Sequence, residues 1–97
     1  IIAINPQDES AFINRGSLLY DLQNKQMAAV DFAKAIEINP RLAGAYYNRG
    51  FAHGFLGEKQ KTIIDLQKAA ELYQKQGETA KVQELLEIIE SLKRSVM

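Results

Sequence analysis

The sequence has no cysteine, one histidine and two prolines, and no apolar run approaches the roughly 20 residues needed to cross a bilayer. Without cysteine, disulfides, thiol nucleophiles and cysteine-ligated zinc or iron–sulfur centres are excluded. The single histidine, His53, cannot build a His-rich metal site. Glycine-rich phosphate loops and the spacing of a nucleophile with a base are also missing. We therefore expect no enzymatic activity, no metal and no cofactor.

An excess of charge of either sign is also missing. Twelve Lys and Arg residues balance twelve Asp and Glu residues over the 97 residues of the chain. Nucleic acids and anionic membrane surfaces attract a concentrated positive patch, and the sequence offers none. We therefore predict no nucleic acid and no membrane as partner. The pattern of a secretory signal peptide is absent, which predicts a cytoplasmic protein, and the length suits one domain.

What the sequence does contain is a repeat of 34 residues. Asn5-Pro6 returns as Asn39-Pro40, and Asn14-Arg15-Gly16 returns as Asn48-Arg49-Gly50. The same offset superimposes further identities, which are Ala11 on Ala45, Leu22 on Leu56, Lys25-Gln26 on Lys59-Gln60, Asp31 on Asp65, Lys34-Ala35 on Lys68-Ala69, and Glu37 on Glu71. A fixed period of about 20 to 50 residues indicates a repeat architecture.

Each repeat is predicted to contain two helices. In the first unit, apolar residues spaced by three and four predict a helix A with Asp8 as its N-cap, and a second stripe from Met27 to Ile38 predicts a helix B. Asn39-Pro40 ends helix B, because proline disfavours a helical residue before it. The second unit repeats the scheme, with helix A over about 42–56, a Gly57 C-cap and helix B over about 59–75.

The two ends of the chain differ from these units. Residues 1–8 are interpreted as the end of a truncated upstream repeat, because residues 1–6 align with 35–40. Two full repeats follow, over 9–42 and 43–76. Segment 77–97 predicts a single amphipathic helix, which we expect to cap the array by covering the apolar face of the last repeat.

The unit resembles the tetratricopeptide repeat, a helix–turn–helix repeat with an aromatic residue and a small glycine early in helix A. The residues that carry the resemblance are Phe12, Gly16, Ala28, Phe32, Ala35 and Pro40 in the first unit, and Tyr46, Gly50, Gly57, Leu66 and Ala69 in the second. Arg15 and Arg49 stand where the family most often has leucine, a variant that resembles bacterial arrays. The resemblance implies an all-α fold, a right-handed superhelical solenoid of antiparallel helix pairs with about five helices.

The family binds peptides or segments of other proteins in a concave groove lined by its A helices, so the resemblance implies an interaction scaffold. The groove candidates are Asn14, Ser17, Tyr20, Asp21, Tyr47, Asn48, Phe51 and Phe55. The side-chain amides of Asn14 and Asn48 can hydrogen-bond the backbone of a bound peptide. Alternatively, they form hydrogen bonds that bridge neighbouring helices of the array. The stripe of Tyr47, Phe51 and Phe55 is either an apolar anchor site or part of the core, with Phe51 or Phe55 packed under the last helix.

Three further expectations concern residues outside the groove. Arg15 and Arg49 are expected to pair with Asp31 and Asp65, which recur at the same offset, rather than to receive a carboxylate or phosphate. His53 aligns with Leu19 and is expected to occupy a packing position. The alternative function is self-association, because an apolar N-terminal edge could dock on another copy of the chain; its residues are Ile1, Ile2 and Ile4.

Overall fold

The computed structural model describes residues 8–95, and these form five α-helices and no strand. The helices are α1 (Glu9–Asp21), α2 (Lys25–Ile38), α3 (Ala43–Phe55), α4 (Lys59–Lys75) and α5 (Thr79–Arg94). The predicted number and order of helices are thus confirmed. Helix α3 is one residue shorter at each end than predicted, because Leu42 and Leu56 are its caps. The apolar edge predicted at Ile1, Ile2 and Ile4 lies outside the described residues.

The ends of the helices follow from local residue chemistry. The side chains of Asp8 and Asn24 accept hydrogen bonds from the first turns of α1 and α2, as N-caps do. Helices α3 and α4 are followed by Gly57 and Gly77, whose φ angles are +78° and +77°. The C-cap of α3 is Leu56, whereas the sequence predicted Gly57 as the C-cap, and Gly57 lies one residue beyond it. At the equivalent place after α1 stands Gln23, with a φ of +70° that a residue with a Cβ adopts only at a cost.

Each helix packs mainly against the next helix in the chain. Helix α1 packs on α2, α2 on α3, α3 on α4 and α4 on α5, and α1 approaches α3 over a short stretch. The array measures 42 × 31 × 18 Å. Within residues 8–95 the helices therefore form an open stack of hairpins and not a closed bundle. This confirms the predicted all-α repeat fold.

Two glycines let the helices of each hairpin approach closely. A Cβ atom on Gly16 would lie 2.7 Å from Cε1 of Phe32, which is fully buried, and one on Gly50 would lie 3.2 Å from Cβ of Asp65. The atoms nearest to Gly16 belong to Phe32 and Asp31, and those nearest to Gly50 belong to Asp65 and Leu66.

Helix α5 lies along α4 and buries Val82, Leu85 and Ile89. Leu85 and Ile89 join an apolar cluster that includes Leu66 and Ala69 of α4. The acidic residues of α5, Glu84, Glu87 and Glu90, are exposed. The helix thus contributes one apolar face to the array, while its role as a terminal cap stays a prediction.

Candidate functional site

Each hairpin contains an ion pair between its two helices. Arg15 donates from Nε and Nη2 to the carboxylate of Asp31 at 2.7 and 2.8 Å, and Arg49 does the same to Asp65 at 2.9 and 2.8 Å. Both carboxylates are buried, at 1% and 3% exposure. The hydrogen bond to the aspartate raises the pKa of each arginine above its ordinary value. The predicted pairing is confirmed, and both guanidinium groups are engaged within the array.

A cleft of about 340 Å³ lies between α1 and α3 and brings together six of the eight predicted groove residues. These six are Ser17, Tyr20, Asp21, Tyr47, Asn48 and Phe51. The remaining lining residue is Phe32 of α2, which the predicted groove did not include because only residues of the A helices were expected to line it. We call this cleft the central cleft.

A second cleft, of about 290 Å³, contains Asn14 and shares Asn48 with the central cleft. The two asparagines therefore lie on one surface, as their offset of one repeat predicted. Neither side-chain amide makes a hydrogen bond within residues 8–95. The alternative in which they bridge neighbouring helices thus has no support in the described part of the chain.

A third cleft, also of about 290 Å³, extends the surface towards α5. It is lined by Tyr47, Tyr73, Lys81, Glu84 and Leu85, and it shares Tyr47 with the central cleft. Neighbouring clefts thus share Asn48 and Tyr47. We call the three clefts together the A-helix groove, since α1, α3 and α5 contribute most of their lining residues.

The aromatic stripe of α3 divides between the core and the surface. The rings of Tyr47 and Phe51 meet edge to face at 4.8 Å, and both residues pack against the apolar cluster that holds Leu85. Phe55, in contrast, is 66% exposed, and its ring meets that of Tyr20 at 5.5 Å. Of the two residues that the sequence offered for packing under the last helix, Phe51 contacts the cluster that holds Leu85, whereas Phe55 lies against α1.

Lys25 contacts the same aromatic pair, which the sequence did not reveal. Its Nζ lies 4.0 Å from the ring centroid of Tyr20 and 4.7 Å from that of Phe55, and it donates a 2.7 Å hydrogen bond to the main-chain oxygen of Tyr20. The ammonium thus satisfies a carbonyl at the end of α1 and interacts with two ring faces. Lys25 recurs as Lys59 in the second repeat. The repeat pattern, however, does not indicate that aromatic rings lie beside Lys25.

The Asp, Glu, Lys and Arg side chains that line the groove within residues 8–95 are mostly acidic. They are Glu9 in the second cleft, Asp21 in the central cleft, and Lys81 and Glu84 in the third. Asp21 is exposed and forms no ion pair within residues 8–95. Burial raises the pKa of Tyr20, and the nearby charge of Asp21 raises it further. The groove therefore offers an unpaired carboxylate beside aromatic walls.

His53 has a polar role as well as a packing role. Its Nδ1 lies 2.9 Å from Oε1 of Glu58, and its Nε2 lies 3.8 Å from Oδ2 of Asp65. The side chain is mostly buried, which agrees with the alignment on Leu19. The alignment gave no sign of the contact with Glu58, because this residue has no acidic counterpart in the first repeat, where Asn24 stands.

Two further kinds of site were sought in residues 8–95. No group of three or more His, Asp or Glu side chains lies close enough there to hold a metal ion. None of the helices in that range combines the length and apolarity that a membrane span requires.

Comparison with known proteins identifies the family of the chain. The tetratricopeptide repeat model matches residues 9–42 and 43–81, which is more than half of the chain. The chain belongs to the tetratricopeptide repeat family. Repeats of this family generally mediate protein–protein interactions on a non-catalytic scaffold. No curated protein matches the chain.

Solved tetratricopeptide repeat structures have the same fold. The solution structure of a tetratricopeptide repeat domain protein from Salinibacter ruber superimposes with a TM-score of 0.80 at 19% identity, over 92% of this chain and 90% of that one. Two crystal structures of MamA give TM-scores of 0.67 and 0.65 at 20% and 25% identity, over 92% and 91% of this chain. The chain spans 60% and 56% of those two proteins.

Proposed function

We propose that the chain is a scaffold module that binds a peptide or protein segment in the A-helix groove, on the concave face of the array. The proposal is supported by the side-chain amides of Asn14 and Asn48, which form no hydrogen bond within residues 8–95 and lie beside a cleft with aromatic walls. An amide both donates and accepts, so it can hydrogen-bond the main chain of an extended segment whatever its sequence. The aromatic walls add a place for an apolar side chain.

Asn48→Ala and Ser17→Ala test the proposal without disturbing the core. Both side chains line the central cleft, and neither makes a hydrogen bond within residues 8–95. We expect each variant to unfold at the same urea concentration as the parent and to lose partner affinity. Loss of one hydrogen bond corresponds to about 0.5–1.5 kcal/mol, or about two- to tenfold in Kd.

Gln67→Ala is the matched control, because this exposed residue of α4 lines none of the three clefts. Phe51→Ala is a poorer probe, since Phe51 packs against the core cluster and its truncation also lowers stability. If Asn48→Ala and Ser17→Ala bind the partner as the control does, the groove is not the binding surface.

A second candidate function is self-association through α1, and the repeat itself provides the observation that favours it. Ala52 of α3 is fully buried, whereas its equivalent in the first repeat, Leu18, is 53% exposed. Leu22, the C-cap of α1, is exposed as well. The half-exposed Leu18, whose equivalent is buried one repeat later, and the neighbouring Leu22 together suit a second copy of the chain.

Sedimentation over a range of concentrations tests self-association. A Leu18→Ser, Leu22→Ser double variant should remain monomeric at concentrations where the parent associates, while Ile64→Ser, at an exposed position of α4, should behave as the parent does. A parent chain that sediments as a monomer at every concentration contradicts this second candidate and leaves the groove proposal untouched.

A further inference from the structure

We infer that the segment bound in the A-helix groove carries a large apolar side chain with a lysine or arginine close to it in sequence. This inference rests on the proposed function and names the chemistry of the partner. It follows from three features of the groove, which are the walls of the central cleft, the sign of the charges along the groove, and the position of the free amide.

The walls of the central cleft select an apolar side chain. Tyr47 and Phe51 form one wall through their edge-to-face pair, and the buried ring of Phe32 contributes a further apolar surface. A volume of about 340 Å³ is near the lower end of the range for small-molecule sites, so it suits one or two side chains of a segment. Removal of a bulky apolar side chain from water in such a cleft provides most of the affinity.

The charges of the groove select a cation. Within residues 8–95, Asp21 is the one Asp, Glu, Lys or Arg that lines the central cleft, and the three clefts together contain three carboxylates and the ammonium of Lys81. The arginines that could reverse this balance, Arg15 and Arg49, are held by buried aspartates. Lys25 donates to the main-chain oxygen of Tyr20 and forms no ion pair with Asp21.

The side-chain amide of Asn48 determines where the main chain of the bound segment can lie. Asn48 belongs to both the central and the second cleft, so a segment whose main chain passes Asn48 can place one side chain against Phe51 and another beside Asp21. Because Phe51 and Asp21 line the same cleft of about 340 Å³ and an extended chain advances about 3.3 Å per residue, both contacts lie within about three residues of each other in the bound segment.

Selection from a displayed library of random nine-residue peptides tests this inference. The chain is immobilised, and the selected peptides are remade with an acetylated N-terminus and an amidated C-terminus, so that no terminal charge contributes. We expect enrichment of Leu, Phe, Tyr or Trp with Lys or Arg within three residues. Replacing that basic residue by Glu should weaken binding by about fivefold or more, and added salt should narrow the difference, since the pair is exposed to solvent.

A charge exchange locates the contact at Asp21. Asp21→Lys should weaken the basic peptides and restore binding of their Glu versions, while Glu37→Lys, on an exposed position of α2 outside the groove, should do neither. Folding is checked by urea unfolding. Asp21→Lys places a positive charge at the C-terminal end of α1, where the helix dipole favours it, so this variant should remain folded.

The possible results separate this inference from the proposed function. Enriched peptides that are acidic or show no charge preference, yet still lose affinity in Asn48→Ala, overturn the inference and leave the groove as the binding surface. An absence of enriched peptides, or peptides insensitive to both Asn48→Ala and Ser17→Ala, overturns the proposed function and the inference with it.

Discussion

Alanine substitutions at the four helical glycines test how closely the helices approach. Replacing a glycine inside a helix by alanine gains up to about 1 kcal/mol of helix propensity. A new Cβ atom that meets a well-packed neighbour costs about 1–3 kcal/mol. The net change in the free energy of unfolding therefore depends on the space at each glycine.

The space differs widely among the four positions. At Gly16 the new Cβ would lie 2.7 and 2.9 Å from two ring atoms of Phe32, and this ring is buried and cannot turn away. We expect Gly16→Ala to lower the free energy of unfolding by about 1–2 kcal/mol. At Gly50 the nearest atoms lie at 3.2 and 3.3 Å, and the nearest Leu66 atom is a terminal methyl group. There the two effects should nearly cancel.

Gly44 and Gly54 provide the controls within the same helix. Their nearest atoms are Oη of Tyr73 at 3.8 Å and Oγ1 of Thr62 at 3.4 Å, so a methyl group fits at both. Each glycine lies in a terminal turn of α3, where helix propensity has a smaller effect than in the middle of the helix. We therefore expect each alanine substitution to raise the free energy of unfolding by about 0.5 kcal/mol.

Urea unfolding followed by far-UV circular dichroism measures the series. The expected order of stability is Gly44→Ala and Gly54→Ala above the parent, Gly50→Ala near it, and Gly16→Ala well below it. A Gly16→Ala variant as stable as Gly44→Ala would refute the close approach of α1 to Phe32. So would a Gly50→Ala variant less stable than Gly16→Ala.

Three further predictions concern single positions. Gln23→Gly should raise the unfolding free energy by about 0.5–1 kcal/mol in urea titrations, because its φ of +70° favours glycine, and an unchanged midpoint would contradict this. Arg49→Ala should lower the free energy of unfolding by about 3 kcal/mol and by more than Asp65→Ala, since it leaves a buried carboxylate without its partner, whereas the guanidinium left by Asp65→Ala can turn to solvent; equal losses would contradict it. Hydrogen bonds from Lys61 and then from His53 lower the pKa of Glu58 below its ordinary 4.5, so its ionised form stabilises the fold above about pH 4.5 and that contribution is lost as the pH falls below it. Glu58→Gln should therefore lose less stability than the parent on acidification, and identical acid transitions would contradict this.

The sequence predicted those features that depend on the repeat offset alone. Arg15 and Asp31 recur together as Arg49 and Asp65, so a single pairing rule accounts for both hairpins, and the distances confirm it. The gathering of Asn14 and Asn48 on one surface follows from the same offset.

Features that depend on a neighbour from another repeat could not be predicted in this way. A helix of the array is covered on one side by its own partner and on another by the preceding repeat, so a spacing of four does not distinguish core from surface. Phe51 and Phe55 illustrate the limit. Both belong to one stripe, yet Phe51 packs on the core cluster and Phe55 reaches Tyr20 of α1.

The buried ion pairs connect the stability of the fold to the charge of the groove. Arg15 and Arg49 belong to α1 and α3, the helices that line the groove, and without their aspartates they would add two positive charges near it. Asp31 and Asp65 hold both guanidinium groups against the second helix of each hairpin, through two hydrogen bonds apiece. Because the same contacts that join the helices of each hairpin also neutralise these arginines, Asp21 remains the dominant charge of the central cleft.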